Sequence, residues 1–441
     1  MKKLLFTISL LLTISAANAQ KVLPLKECLR IGIENNLQLK SSRNEVQKGK
    51  HNISENRARL LPQINFAAGF NDNFTPPVSV TDGTAYGKKY NVTKTLQYNS
   101  SASLQLQMPL YSQTAVTAVE IAKTLDNLKQ LSYEKAREDI IMQIAKLYYL
   151  IQNTTEQITI ISDNLKRFEE LKSFTQAFYD NQMALSVDIK RINVRLESTD
   201  VALANAKAML REQYNMLKYA MDYPADEEIL VEVKRVDDID MAAQSGLNTN
   251  LYELQLMQAK ERLTTQQVKL AKDAYLPTVA LTGNIAFSAY TDKLSNWWHS
   301  GESNHWYDSN GIGISVRVPV FDGFEKRSKI RKAKIDADNA RIAYENTLRN
   351  LQTQYSNAIN DQMNNERNYR KQRDNYRLAE DIYKVTMDRY REGVTSMVEV
   401  LQDEMSMSEA QNNYLTAHYN YEVSNLSVLK LTGRLNSLLG N

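Results

Sequence analysis

Helix breakers are almost missing from two long stretches of this chain, and that scarcity constrains the fold more than any motif. Between Lys88 and Ser245 there is no glycine, and the only prolines are Pro109 and Pro224. After Pro319 proline does not recur, and Gly393 is the sole glycine between Gly323 and Gly433. From Tyr111 onward the chain meets no breaker for roughly 70 residues, on the order of 100 Å as a single helix at about 1.5 Å per residue. That length exceeds the diameter of a globule built from a chain of this size. Within it Ile140, Ile144, Leu147, Ile151, Thr154, Ile158, Ile161, Leu165 and Phe168 step by four and three. This is the 3.5-residue period of a helix that supercoils against a partner. Leu348, Tyr355, Gln362, Tyr369, Tyr376, Tyr383 and Tyr390 recur every seven residues in the second half. Tyrosine at that spacing reads as packing with its hydroxyl at the wet edge, not as a ligand track. Breaks near Asn181 and Gly393 are followed by returning helices over about 186–219 and 396–432, which predicts two helical hairpins.

The two halves also match each other. Asn36-Leu37 and Leu61-Pro62 return as Asn250-Leu251 and Leu276-Pro277; Met108-Pro109-Leu110-Tyr111 returns as Val318-Pro319-Val320-Phe321. Tyr179 with Val187-Asp188-Ile189 returns as Tyr390 with Val398-Glu399-Val400. The offsets, 214–215, 210 and 211 residues, agree within a loop's slack and predict a duplicated helix–strand–strand–helix–helix unit.

Four segments alternate with period two. Ile64, Phe66, Ala68 and Phe70 oppose Gln63, Asn65, Ala67 and Asn71; Ala102, Leu104, Leu106 and Met108 oppose Ser101, Ser103, Gln105 and Gln107. Val279, Leu281, Ile285 and Phe287 oppose Thr278, Thr282, Asn284 and Ser288; Ile312, Ile314, Val316 and Val318 oppose Gly311, Gly313, Ser315 and Arg317. Each run is long enough for a tilted strand to cross a bilayer. An apolar face opposite a small polar one suits lipid outside and water inside, although a half-buried soluble sheet alternates in the same way. The neighbours favour the membrane: each pair is joined by a polar, glycine-bearing loop (75–97 and 291–309) and flanked by helices on the same side. Four strands are too few to close a barrel, for which about eight is the smallest size, and an open edge in lipid leaves backbone groups unpaired. Other copies must then complete the sheet; three give twelve strands, and two or four also satisfy the requirement.

The amino terminus reads as an export signal. Lys2 and Lys3 precede an apolar run from Leu4 to Ile14, and Ala17-Asn18-Ala19 offers a small-x-small cleavage site. Residues 1–19 are therefore set aside from the fold. No later run of 18 apolar residues occurs, so a membrane-spanning part has to be β-barrel. Cys28, the only cysteine, is expected to be a free, buried thiol.

Charge and chemistry exclude other classes. The chain has 54 basic and 51 acidic side chains, net +3, with no basic block evident, so nucleic acid is not implied. His51, His299, His305 and His418 show no metal-ligand spacing, and neither a phosphate-cradling glycine loop nor a nucleophile elbow is present. No catalytic residue, metal or cofactor is expected. Trp297, Trp298 and Trp306 share one loop and fit an extracellular packing role or a place at the lipid headgroups.

In order, spacing and duplication the chain resembles the TolC-like outer membrane factors over nearly all of residues 20–433. The stretch Tyr390-Arg391-Glu392-Gly393-Val394-Thr395-Ser396-Met397-Val398-Glu399-Val400-Leu401 resembles the family's turn between the last two tunnel helices; Leu276-Pro277 and Pro319 to Gly323 are equally typical. The resemblance implies an α+β membrane protein of two structural repeats: a trimeric 12-stranded outer-membrane β-barrel with four strands per chain, continued by a long α-helical coiled-coil barrel in the periplasm. The implied divisions are a first repeat at 20–222, an equatorial connector at 223–246, a second repeat at 247–433 and a tail at 434–441. It further implies a gated exit duct of a tripartite efflux or type I secretion system. Its partners would be a periplasmic adaptor (membrane fusion protein), an inner-membrane pump of RND or ABC type, and outer-membrane lipid. By position Glu399 would stand in the acidic constriction, with Tyr390 and Asp188 in the contacts that keep the tip closed. The family's second acidic ring maps to Gln402, with Asp403 and Glu404 following, and its cross-linking arginine maps to Thr395. The rival reading is a periplasmic coiled-coil adaptor or structural protein without a pore.

Overall fold

Period-two alternation becomes sheet in this chain, and the breaker-free stretches become helix. The computed structural model describes residues 21–233, 246–298 and 305–440. The expected signal at 1–19, His299 and most of the second half of the expected connector lie outside the described residues. The described elements run β1 (Lys21–Leu23), α1 (Leu25–Asn35), α2 (Leu37–Ala58), β2 (Gln63–Asp72), β3 (Val78–Asp82), β4 (Tyr90–Lys94), β5 (Tyr98–Tyr111), α3 (Gln113–Asp180), α4 (Ser186–Met221) and β6 (Ile229–Val231). There follow α5 (Tyr252–Asp273), β7 (Thr278–Thr291), β8 (His305–Arg317), α6 (Glu325–Arg391) and α7 (Met397–Leu431). Two compact units result: Glu45–Gln130 with Leu256–Tyr344, and the remainder.

The first of these units holds a four-stranded antiparallel sheet in the order β2-β5-β7-β8. The loop expected at 75–97 is in part ordered: β3 and β4 form their own antiparallel hairpin there. Register sorts the side chains into rows. Ile64, Leu106, Gly283 and Ile312 pair across all four strands, as do Phe66, Leu104, Ile285 and Asn310. The alternate rows are Asn65, Gln105, Asn284, Gly311 and Gln63, Gln107, Thr282, Gly313. One face is thus mostly apolar and the other small and amide-rich. Nothing among the described residues covers the apolar face: Phe66 is 71 % exposed and Ile312 78 %.

The second unit packs its helices around two clusters. In one, Cys28, Leu29 and Leu39 meet Ile141, Ile144, Ile151, Leu217 and Met221, sealed by the parallel pair β1–β6. Burial pushes the Cys28 thiol up to about 12, so it is an inert packing group. A buried amide pair joins the two hairpins, Asn164 donating to Gln411 (3.1 Å), and another ties α6 to α7 within the second, Gln362 donating to Asn425 (2.8 Å). The expected tyrosine seam of α6 stacks on α7, with Tyr369 5.6 Å from Tyr421 and Tyr376 5.8 Å from Tyr414 between ring centroids.

Candidate gate at the hairpin tips

Both hairpin turns end their first helix in the same way. After α3, Met183 N–H donates to the Phe178 carbonyl (2.8 Å) and Gln182 N–H to Tyr179 (2.9 Å), with Gln182 at φ 61°. After α6, Val394 N–H donates to Arg389 (2.9 Å) and Gly393 N–H to Tyr390 (3.0 Å), with Gly393 at φ 74°. This is the Schellman closure, which satisfies the last helical carbonyls through a left-handed residue.

Each returning helix then begins on an acid in its first turn, which suits the positive end of the helix dipole. Asp188 accepts from the Leu185 N–H (3.4 Å) and pairs with Arg191 (2.9 Å). Leu185 has no side-chain acceptor, so this cap is one-sided. Glu399 N–H donates to the Ser396 hydroxyl (3.4 Å), and the Thr395 hydroxyl donates to the Glu399 carboxylate. Thr395, where the resemblance leads one to expect a cross-linking arginine, therefore tethers Glu399 within its own turn. Glu399 and Gln402 are both exposed.

Tyr390 belongs to a different layer. It is buried, its hydroxyl lies 3.4 Å from that of Thr175, and its ring stands 6.2 Å from both Phe174 and Phe178. Burial raises its phenol pKa, opposed by the Thr175 hydrogen bond, and the nearby Asp188 carboxylate raises it further. Phe168, Leu171, Ile192, Tyr383, Met387, Met397, Val400, Leu401 and Met407 complete this cluster, so all four tip helices share one core. Behind it the Thr386 hydroxyl donates to Asp403 (2.6 Å). Glu404 is buried, and desolvation lifts its pKa against the pull of Arg195 and Arg167. Asp403 and Glu404, noticed only as neighbours of Gln402, are thus inward anchors of the tip. Thr175, Phe174 and Thr386 had no sequence signal, since each acts through a partner on another helix. The site holds carboxylates, amides and hydroxyls arranged for packing and electrostatics; no cluster of three or more His, Cys, Asp or Glu fit to hold a metal occurs among the described residues.

Comparison with known proteins agrees with this architecture. The chain matches the family described as outer membrane efflux protein over residues 30–221 and 247–434. It is 22 % identical over 417 residues to the outer membrane protein TolC of Salmonella enteritidis, covering 91 % of this chain and 80 % of that one. It is 20 % identical over 366 residues to the proteases secretion protein PrtF of Dickeya chrysanthemi, covering 79 % and 74 %. Among solved structures, the Campylobacter jejuni CmeC outer membrane channel superposes with a TM-score of 0.75 at 18 % identity, covering 93 % of this chain and 85 % of that one. The fold is therefore that of the TolC-like channels, and the chain belongs to the outer membrane efflux protein family, placed in the outer membrane with its helical part in the periplasm.

Proposed function

We propose that this protein is the outer-membrane exit duct of a tripartite efflux or type I secretion system, a passive, gated pore rather than an enzyme. The observation that carries the reading is the sheet with an uncovered apolar face, an amide-rich opposite face and unpaired outer edges on β2 and β8. Burying such edges in lipid requires pairing with further copies. Three copies, giving twelve strands, fit the family. Aromatic residues bracket the apolar face: Phe70, Tyr98 and Trp306 toward the β3–β4 end, and Tyr111, paired with Val279, at the other. From Val279 to Ala289 is roughly 33 Å along the strand; tilted by about 40° it spans about 25 Å, the height of an outer-membrane apolar band. The common order of elements in the two halves, with matching tip turns, supports two repeats, at 20–222 and 247–433, joined by a connector at 223–246.

The hairpin tips serve as the periplasmic gate. Glu399 contributes a carboxylate from each copy to the constriction, which favours cations, and Gln402 leaves the next layer neutral. Tyr390, Asp188 and Thr395 hold the closed arrangement through contacts within each copy. A periplasmic adaptor and an inner-membrane pump of RND or ABC type complete the pathway. Reconstitution into planar bilayers, with mass measured in detergent, tests this. A conducting trimer whose cation preference falls in Glu399→Ala supports pore and gate. A conducting trimer indifferent to the change removes Glu399 from the gate. A water-soluble chain that forms no pore overturns the reading in favour of a periplasmic structural protein.

A further inference from the structure

Charge balanced over the whole chain conceals one local excess. Six of the nine residues from Lys326 to Lys334 are basic and none is acidic. They occupy the first turns of α6, seven residues after β8 leaves the sheet and within the same compact unit. Two are neutralised: Lys326 pairs with Asp322 (3.1 Å) and Lys329 with Glu325 (2.5 Å). Arg327, Arg331 and Lys334 are exposed and have no ion-pair partner among the described residues. Steps of four and three put these three on one face of the helix. Like charges so spaced repel one another and weaken the helix, so the arrangement asks for an anion.

The corresponding helix of the first half does without this feature. Over its first turns α3 carries only Lys123 as a base, and Glu120 there pairs with Lys269 (2.8 Å). Folding of a helix after the strand thus does not demand the basic face. What accompanies it is apolar surface. Val318, Val320, Phe321 and Phe324 are all exposed, continuing beyond the exposed Ile312, Ile314 and Val316 of β8. Phe321 and Phe324 stand edge to face at 5.6 Å, and Phe324, 61 % exposed, immediately precedes α6, three residues before Arg327. An aromatic pair followed at once by unpaired cations, at the end of an apolar strand face, has the composition of a membrane–water interface.

We propose that Arg327, Arg331 and Lys334 bind the phosphate groups of anionic phospholipids in the periplasmic leaflet, with Phe321 and Phe324 seated in the interface beside them. The assignment rests on the sheet being a transmembrane barrel. Guanidinium groups suit the phosphodiester by bidentate hydrogen bonding, and both long side chains can reach toward the headgroups from a helix below.

The full-length protein is reconstituted into vesicles of phosphatidylcholine with one-fifth phosphatidylglycerol, extracted in mild detergent, and its retained lipid counted by native mass spectrometry. Wild type is expected to retain phosphatidylglycerol over its share in the mixture by on the order of tenfold, a preference that fades in high salt. Changing Arg327, Arg331 and Lys334 together to Gln should abolish it, whereas Lys172→Gln with Lys190→Gln and Lys207→Gln should not. Retention of both lipids in proportion to the mixture by the wild type overturns the proposal without needing any variant. A triple variant that keeps its phosphatidylglycerol but shifts the pore's reversal potential overturns it also, by moving the face to the lumen. A wild type that does not enter vesicles at all refutes the barrel reading instead.

Discussion

Gln182 and Gly393 occupy the same left-handed position in two turns of identical hydrogen-bond pattern, one at the end of each long outgoing helix. A side chain in that region is disfavoured by roughly 1–2 kcal/mol, and glycine is not. Gln182→Gly should therefore raise stability by about 1 kcal/mol, and Gly393→Ala should lower it by a similar amount. Urea denaturation of the detergent-solubilised protein, followed by the circular dichroism of the helices, reads both. Equal effects of the same sign would contradict the assignment.

Tyr390→Ala empties a site filled by a buried ring between Phe174 and Phe178, and a loss of about 3–5 kcal/mol is expected. Tyr390→Phe keeps the ring and forfeits only the contact with Thr175, so it should lose about 1 kcal/mol. If the tip is the gate, Tyr390→Ala also increases the single-channel conductance while Tyr390→Phe leaves it nearly unchanged. Conductance traces of the two variants side by side decide this.

Glu422 gives the helical unit a pH dependence. Burial raises its carboxyl from an ordinary 4.5 to about 7, and its Oε2 has no hydrogen-bond partner. His418 stands 3.8 Å away, with Glu156 on its other side at 4.0 Å. Between about pH 4.5 and 7 the folded protein holds a proton that the unfolded chain releases, so stability falls as pH rises through that window. Glu422→Gln should remove this slope and, at pH 8, stabilise by roughly 2–3 kcal/mol. Thermal melts at pH 5 and pH 8 provide the comparison; a slope that survives in the variant assigns it to another group.

Ile312 and Asn284 lie on opposite faces of neighbouring strands, Ile312 level with Gly283 midway along the apolar band. Ile312→Arg should lower membrane-inserted stability by about 2–4 kcal/mol, as a cation facing the middle of the bilayer does. Asn284→Arg, on the amide-rich face, should insert normally. Heat-modifiable mobility on gels and the yield in outer-membrane fractions distinguish the two.

The parts that could be read from sequence were those repeated locally. Alternation at Ile64–Phe70 or Ile312–Val318 needs only neighbours along one strand, and the missing glycines of Gln113–Asp180 need no partner at all. The heptad seam was legible in part: Ile140, Ile144, Ile151 and Thr154 are buried as expected. Farther on, Phe168 is buried as expected while Ile158, Ile161 and Leu165 are half-buried, and Asn164, Leu171 and Thr175 take the inner face beside Phe168. A helix near 3.6 residues per turn drifts by about 20° per heptad against a 3.5 repeat, so the seam walks around it. The β3–β4 hairpin was hidden by Pro76, Pro77, Gly83 and Gly87, which read as loop. At the tips the acids were visible and their ties were not. Thr175 meets Tyr390 only because two hairpins pack, and no local pattern announces a pairing so distant in sequence. Arg327, Arg331 and Lys334 were concealed by the near-neutral total.

The central pairing of β5 with β7, from Tyr98–Thr291 to Tyr111–Val279, also bears on how the complete structure comes together. That seam joins a strand from each half of the chain and forms without any collision between molecules. If further copies complete the barrel, as proposed, it is the flanks of β2 and β8 that await a neighbour. Were the two halves separate polypeptides, twice as many molecules would have to meet, and the yield would fall off far more steeply on dilution. Continuity of the backbone between the halves therefore lowers the kinetic order of assembly, an advantage where newly exported chains are scarce.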